Sequence, residues 1–223
     1  MKRPTKTTPT EEAYSELQRA YDVFNRELFG GQLPPCLITL QRKNRTYGYF
    51  CGDRWAHHAG TIRDEIALNP VHFRTRGVEA VLSTLVHEMV HLWQFHCGMP
   101  SRNGYHNREW AEKMGRVGLI PSDTGEPGGN RTGQRVSHYI QEDGPFAKAC
   151  QSLLATGFVV SWHDRAQDDA EGRARARQKA NTRTKYTCPG CGLNAWARAQ
   201  AVFRCGVCDE ALLAQDAGEG GAT

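Results

Sequence analysis

Tyr14, Leu17, Tyr21, Phe24 and Leu28 recur at three- and four-residue intervals, the spacing that lines one face of an α-helix. Thr10 ahead of Glu11 and Glu12 has the chemistry of an N-cap with acids in the first turn, so a first helix is expected from there to Phe29. Gly30 and Gly31 end it, and Pro34-Pro35 prevents its resumption. The period then shortens. Residues 37–41, 47–50 and 61–69 are β-like runs rich in Ile, Thr and Tyr, divided by polar or glycine-containing turns, and they predict a small antiparallel sheet. Between residues 77 and 95 the run VEAVLSTLVHEMVHLWQF returns to helical spacing, with Val81, Leu85 and Leu92 on a face that continues through His87, Val90 and His91. Residues 107–117 read as another short helix, stopped by Gly118 and Pro121. The Gly-, Pro- and Thr-dense stretch 122–133 reads as a surface loop or flexible insert. A strand at 136–140, a helix at 145–154 and a strand at 158–162 returning to the sheet complete the prediction, followed by a charged linker or exposed helix end over 164–187.

Composition narrows what such a chain can be. With 39% hydrophobic residues among 223, it can bury a real core, while a mean hydropathy of -0.61 leaves much polar sequence, so one catalytic domain plus a small appendage is expected. The N-terminus has charge but no apolar stretch behind it, and no run of about 18 apolar residues occurs, which predicts a soluble, unexported, cytoplasmic protein with no membrane partner. Four cysteines, Cys36, Cys51, Cys97 and Cys150, are scattered singly, whereas Cys188, Cys191, Cys205 and Cys208 pair at metal-ligand spacing. That split favours a reducing compartment. The net charge of +4 is mild, but the stretch 172–187 holds Arg173, Arg175, Arg177, Lys179, Arg183 and Lys185 without one acid, which points to an anionic partner, nucleic acid first.

The segment HEMVH carries the chemistry. His87 and His91, four residues apart on a helix, present both imidazoles to one ion, and Glu88 lies where a carboxylate can reach a metal-bound water. Neutral imidazoles leave zinc electrophilic, zinc lowers the pKa of its water, and Glu88 accepts the proton during attack on a peptide carbonyl. Two histidines and a glutamate inside so apolar a helix are costly without a partner, and a metal is such a partner. A catalytic zinc needs a third protein ligand. His96 is close in sequence but, at about 100° per residue, points nearly opposite His87. A metzincin would have a histidine six residues after His91, where this chain has Cys97. His106, beyond a loop that can swing it back, is one candidate; Glu109 and Glu112 on the following helix are the alternatives. Glu109 and Trp110 are expected to serve helix capping and core packing. Tyr47, Tyr49, His57 and His58 lie in or beside the sheet that would line the cleft, and none of them is assigned as the oxyanion-stabilising group.

YDVFNRELFGGQLPP at 21–35, IALNP at 66–70, HEMVH at 87–91 and HNREWAEKM at 106–114 together resemble the SprT or Spartan-like zinc metalloproteases, over about residues 11–120. The resemblance implies an α+β, zincin-like domain whose HExxH helix packs on the small antiparallel sheet, and it implies that His106 is the third ligand. Asn107 stands where the family has glycine after that histidine, and Tyr105 separates Gly104 from it; Asn tolerates the same left-handed backbone, so the turn is expected to survive.

Cys188-Pro-Gly-Cys191, thirteen residues, then Cys205-Gly-Val-Cys208 has the spacing of a zinc ribbon with a closed, structural, four-thiolate site. Arg183, Lys185, Tyr186, Trp196, Arg198, Phe203 and Arg204 combine aromatics with cations, the composition of a single-strand nucleic-acid surface, although Trp196 or Phe203 is expected to fill the ribbon core. Members of the resembled family join such modules to the protease domain. The expected organisation is a disordered N-terminus (1–10), the protease domain (11–163, core 11–120 and extension 121–163), a basic linker (164–185), the ribbon (186–214) and a disordered tail (215–223). The expected function is that of a monomeric, nucleoid-associated endopeptidase with two Zn2+, one catalytic and one structural, acting on proteins bound or crosslinked to DNA. A non-catalytic DNA-binding adaptor and a soluble peptidase indifferent to DNA are the alternatives.

Overall fold

Thr8 rather than Thr10 caps the first helix: its hydroxyl accepts from the Glu11 backbone N–H while the Glu11 carboxylate accepts from the Thr8 N–H, a complete capping box with Pro9 in the first turn. Helix α1 therefore spans Pro9–Phe29, and Leu17, Ala20, Tyr21, Phe24 and Phe29 form its buried stripe. Gly30 and Gly31 follow with φ of 63° and 74°, and the Asn25 side chain then clamps the turn, donating to Leu33 O and accepting from Leu33 N, both at 3.1 Å. The computed structural model describes residues 7–102, 104–165 and 184–215. The chain divides into two compact units, Met1–Asp164 and Arg165–Thr223.

In the first unit, strands β1 (Leu37–Leu40), β2 (Gly48–Ala56) and β3 (Ile62–Leu68) form one sheet in the order β1-β3-β2. The sheet is mixed, not antiparallel as expected: β1 runs parallel to β3, with Ile38 opposite Ile66, and only the β2–β3 hairpin is antiparallel. Asn69 then ties the sheet to its exit, donating to Lys43 O at 2.8 Å and Thr46 O at 3.0 Å and capping the 3-10 turn Pro70–His72. Helix α2 (Phe73–Cys97) crosses the sheet, its path broken at Gly77 (φ 76°, ψ 162°). Helix α3 (Arg108–Arg116) leads to β4 (Leu119–Ser122), which pairs antiparallel with β5 (Ser137–Ile140) in a separate two-stranded sheet, and α4 (Pro145–Ala155) packs against α1 with Phe146 on Phe24 at 5.6 Å between ring centroids.

Residues 158–162 are not a strand. Phe158 is buried in the core, and Ser161 and Trp162 donate to Glu16 and Glu12 of α1 instead of joining a sheet. Nor is the 122–133 stretch a loose insert, because Asp123 accepts from both the backbone and side-chain nitrogens of Asn130, and Gly133 returns to pair with His106. One hydrophobic cluster runs from Leu17 to Phe158 and includes Val136, Phe146, Cys150 and Leu153.

The second unit is described from Thr184. Strand β6 (Thr184–Thr187) lies between β7 (Asn194–Ala197) and β8 (Leu213–Gln215), around a small cluster of Tyr186, Cys188, Cys205 and Leu212. Residues 184, 185 and 215, read as linker or tail, belong to these strands, and Pro9 and Thr10, read as part of a disordered N-terminus, belong to α1; residues 1–6, 166–183 and 216–223 of the expected linker and disordered ends lie outside the described residues. Among the described residues no helix is long and apolar enough to cross a membrane.

Candidate metal centre

Helix α2 places His87 and His91 one turn apart on the face that meets α3, and α3 begins immediately after His106. One ligand atom from each of the three histidines lies within 4.8 Å of the others, a group able to hold a metal ion. Trp110, fully buried, forms the floor: its ring is 4.9 Å from that of His87, 5.2 Å from His91 and 4.3 Å from His106. Burial keeps all three imidazoles neutral. It lowers His87 well below the usual histidine range, with neighbouring imidazoles adding to the effect, brings His91 down to about 3, and lowers His106. Neutral imidazoles with free lone pairs are the donor set that zinc takes, so the residues fit the ion.

The loop before His106 is held by a polar clasp. Buried Gln94 donates to Asn107 Oδ1 at 2.8 Å and Glu109 Oε2 at 2.7 Å, Met99 N donates to the same Glu109 oxygen at 2.8 Å, and Asn107 Nδ2 donates to Met99 O at 3.0 Å. Glu109 is thereby committed to the loop and Glu112 to Arg108, which removes both from the metal group. Asn107 is not left-handed: at φ -85° it is the extended N-cap of α3, accepting from Trp110 N at 3.0 Å, and Gly104 (φ 72°) supplies the left-handed turn instead. His106 N donates to Gly133 O at 2.8 Å, and its ring Nδ1 lies 3.2 Å from the same carbonyl.

Glu88 is buried beside the triad, 3.2 Å from where a Cβ on Gly48 would stand. Burial pushes its carboxyl up to about 8, against the pull of the Lys43 ammonium and a backbone hydrogen bond from Phe50. The β2 strand beside it is an edge of the sheet. His96 points away from the triad to Asp64 at 2.7 Å. Tyr47 lies under the Arg76 guanidinium at 3.8 Å, Tyr49 under Lys43 at 4.3 Å, and the His57 and His58 rings meet at 4.1 Å, tilted by 42°, at the β2–β3 turn.

Two residues of the site escaped sequence reasoning. Gln94 carried a signal, a buried polar side chain two turns after His87 on the helix. His138 carried almost none: on the short strand β5, 51 positions from His87, its Nδ1 lies 3.1 Å from His87 Nδ1.

In the second unit the four sulfurs of Cys188, Cys191, Cys205 and Cys208 likewise lie within 4.8 Å of one another. Backbone N–H groups of Cys208 and Val207 bring the Cys205 thiol down to about 7, while a side-chain hydrogen bond with Cys191, with burial and the nearby sulfur charge adding to it, pushes Cys208 up to about 12. Tyr186 is buried, its hydroxyl donating to Arg198 O at 2.9 Å, and fills the ribbon core instead of the stacking surface expected of it; half-buried Phe203 packs on it at 5.2 Å, so of Trp196 and Phe203 it is Phe203 that turns toward the core. Trp196 is 61% exposed and sits directly opposite Lys185 across the β6–β7 pair, and Arg198 and Arg204 are also exposed. Arg183 lies outside the described residues.

The SprT-like family matches residues 17–127. An uncharacterized protein from the mucB 3' region of Salmonella typhimurium is 59% identical over 59 residues, which are 26% of this chain and 80% of that protein. The match takes in the buried stripe of α1, the sheet, all three histidines of the candidate metal group and Glu88, and the chain belongs to the SprT-like family.

Proposed function

We propose that the chain is a zinc-dependent endopeptidase that acts on DNA-associated or DNA-crosslinked proteins. The observation that carries this reading is the convergence of three neutral imidazoles beside a buried carboxylate that makes no part of the ligand group. His87, His91 and His106 would hold one zinc, which when bound supplies Lewis acidity to a water and to the scissile carbonyl. Burial alone keeps Glu88 protonated at neutral pH; a cation at the adjacent histidines favours its carboxylate form. In that form Glu88 takes the proton of the attacking water and passes it to the leaving amide nitrogen as the C–N bond breaks. The four cysteines would hold a second, structural zinc.

DNA enters through the second unit. Exposed Trp196 beside Lys185, with Arg198 and Arg204, offers a face on which a base can stack next to cations that neutralise phosphates. The basic run 172–187 adds charge of the same sign. Such a protein works in the reducing cytoplasm, on the nucleoid.

The test is cleavage of a protein crosslinked to single-stranded DNA. Glu88→Gln is expected to abolish cleavage while zinc content and DNA binding stay at wild-type level; undiminished cleavage would sink the mechanism. Cleavage of an uncrosslinked protein at the same rate with and without DNA would remove DNA from the function and leave the peptidase.

A further inference from the structure

The hydrogen bonds around His138 run in one direction. The Ser83 hydroxyl donates to Ala80 O at 3.1 Å, so its oxygen is left to accept from His138 Nε2, 3.0 Å away. With Nε2 carrying the proton of a neutral ring, His138 Nδ1 is an acceptor, and the group facing it at 3.1 Å is His87 Nδ1. His87 must then donate from Nδ1, which leaves its Nε2 lone pair free for the metal site. The relay ends on a backbone carbonyl of the same helix one turn earlier, and every member is satisfied. His106 is set in the same sense, since its Nδ1 faces Gly133 O at 3.2 Å. Both supports, Gly133 and His138, come from the segment after residue 127, where the family match stops.

We infer that His138, anchored by Ser83, is a positioning residue for the metal centre: it fixes the Nδ1–H tautomer and the ring orientation of His87 and so strengthens zinc binding. This rests on the reading of His87, His91 and His106 as zinc ligands. A metal-bound histidine ordinarily hands its second N–H to a carboxylate, a carbonyl or water, and such partners set ligand basicity and geometry. Here an imidazole takes that place.

The test is competition for zinc between the full chain and a chromophoric chelator. His91→Ala, lacking one of the three donors, defines the zinc held by the cysteines alone. His138→Phe is expected to weaken the histidine-bound zinc by about 10- to 100-fold, and Ser83→Ala by a smaller factor. His138→Gln, whose amide accepts and donates at the same two ends, is expected to recover most of the affinity, which mere loss of packing would not predict. In 15N-correlated spectra of the zinc-loaded protein, His87 is expected as the Nδ1–H tautomer. Wild-type affinity in His138→Phe, with loss in His91→Ala, overturns the inference; equal zinc content in His91→Ala and wild type overturns the metal reading beneath it. Should His138→Phe not fold, unchanged affinity in Ser83→Ala, or the Nε2–H tautomer at His87, overturns the inference on its own.

Discussion

Glu88 owes its position to a side chain that is missing. A Cβ on Gly48 would stand 2.9 Å from Ala67 O, 3.0 Å from Thr84 Cγ2 and 3.2 Å from Glu88 Oε1, so the edge strand passes the helix only because residue 48 is glycine. The first of these neighbours is backbone inside a paired sheet and cannot swing aside; the third is the carboxylate itself. Gly48→Ala is therefore expected to cost about 1–3 kcal/mol of stability from overpacking. It should lower peptide cleavage by more than the unfolded fraction explains, because the group that gives way most cheaply is Glu88. Urea unfolding and a peptide-cleavage assay on the same preparation, with zinc content as the control, separate the two effects. Full cleavage by the folded variant would mean that Glu88 is held by something other than this contact.

At the scale of elements, the break in α2 shows what glycine does when space is not the issue. Gly77 has φ 76° and ψ 162°, a region closed to side chains, yet nothing lies within 4 Å of the Cβ it lacks. The break lets the short turn before it aim Arg76 forward along the helix, where it donates to Thr84 Oγ1 at 2.8 Å and covers Tyr47. Gly77→Ala should lower stability by about 1–3 kcal/mol through backbone strain alone, whereas Gly115→Ala, in the last turn of α3, should be near neutral. Thermal unfolding of the two variants side by side decides it; equal midpoints would mean that α2 straightens at no cost. The helices were legible from residue spacing and their ends because period and caps are local properties, and the glycine pair after Phe29 ends α1 as its chemistry predicts. The parallel β1–β3 pairing was not, since alternation tells which face of a strand is buried but not which neighbour it pairs with. The strand-like run over residues 158–162 misled for a related reason: Phe158 and Val160 do pack inward, but on the helical core. His106 could be placed by the motif around it, whereas His138 depends on a long-range meeting of α2 and β5 that no local pattern encodes.

For the whole molecule, the two units differ in what can hold them together. The first closes a core from Leu17 to Phe158, with Trp110, Phe24 and Phe146 fully buried. The second buries only Tyr186, Cys188, Cys205 and Leu212 among its described apolar residues, and two of those four are cysteines of the candidate metal group. A module of that size rarely folds on apolar burial alone and ordinarily requires a metal or disulfides. Replacing Cys205 and Cys208 together by serine is accordingly expected to unfold the second unit while the thermal transition of the first stays at its wild-type midpoint, followed through tryptophan fluorescence and near-ultraviolet dichroism. Trp196→Ala is the complementary change: the indole is 61% exposed, so the fold should survive, while affinity for a short single strand should fall by about 1–3 kcal/mol, the worth of one stacked base. If the double serine variant loses DNA binding and Trp196→Ala retains it in full, the ribbon contributes charge without stacking. If both variants bind as wild type does, the anionic partner belongs to the basic run outside the ribbon, and the zinc module serves some contact other than DNA.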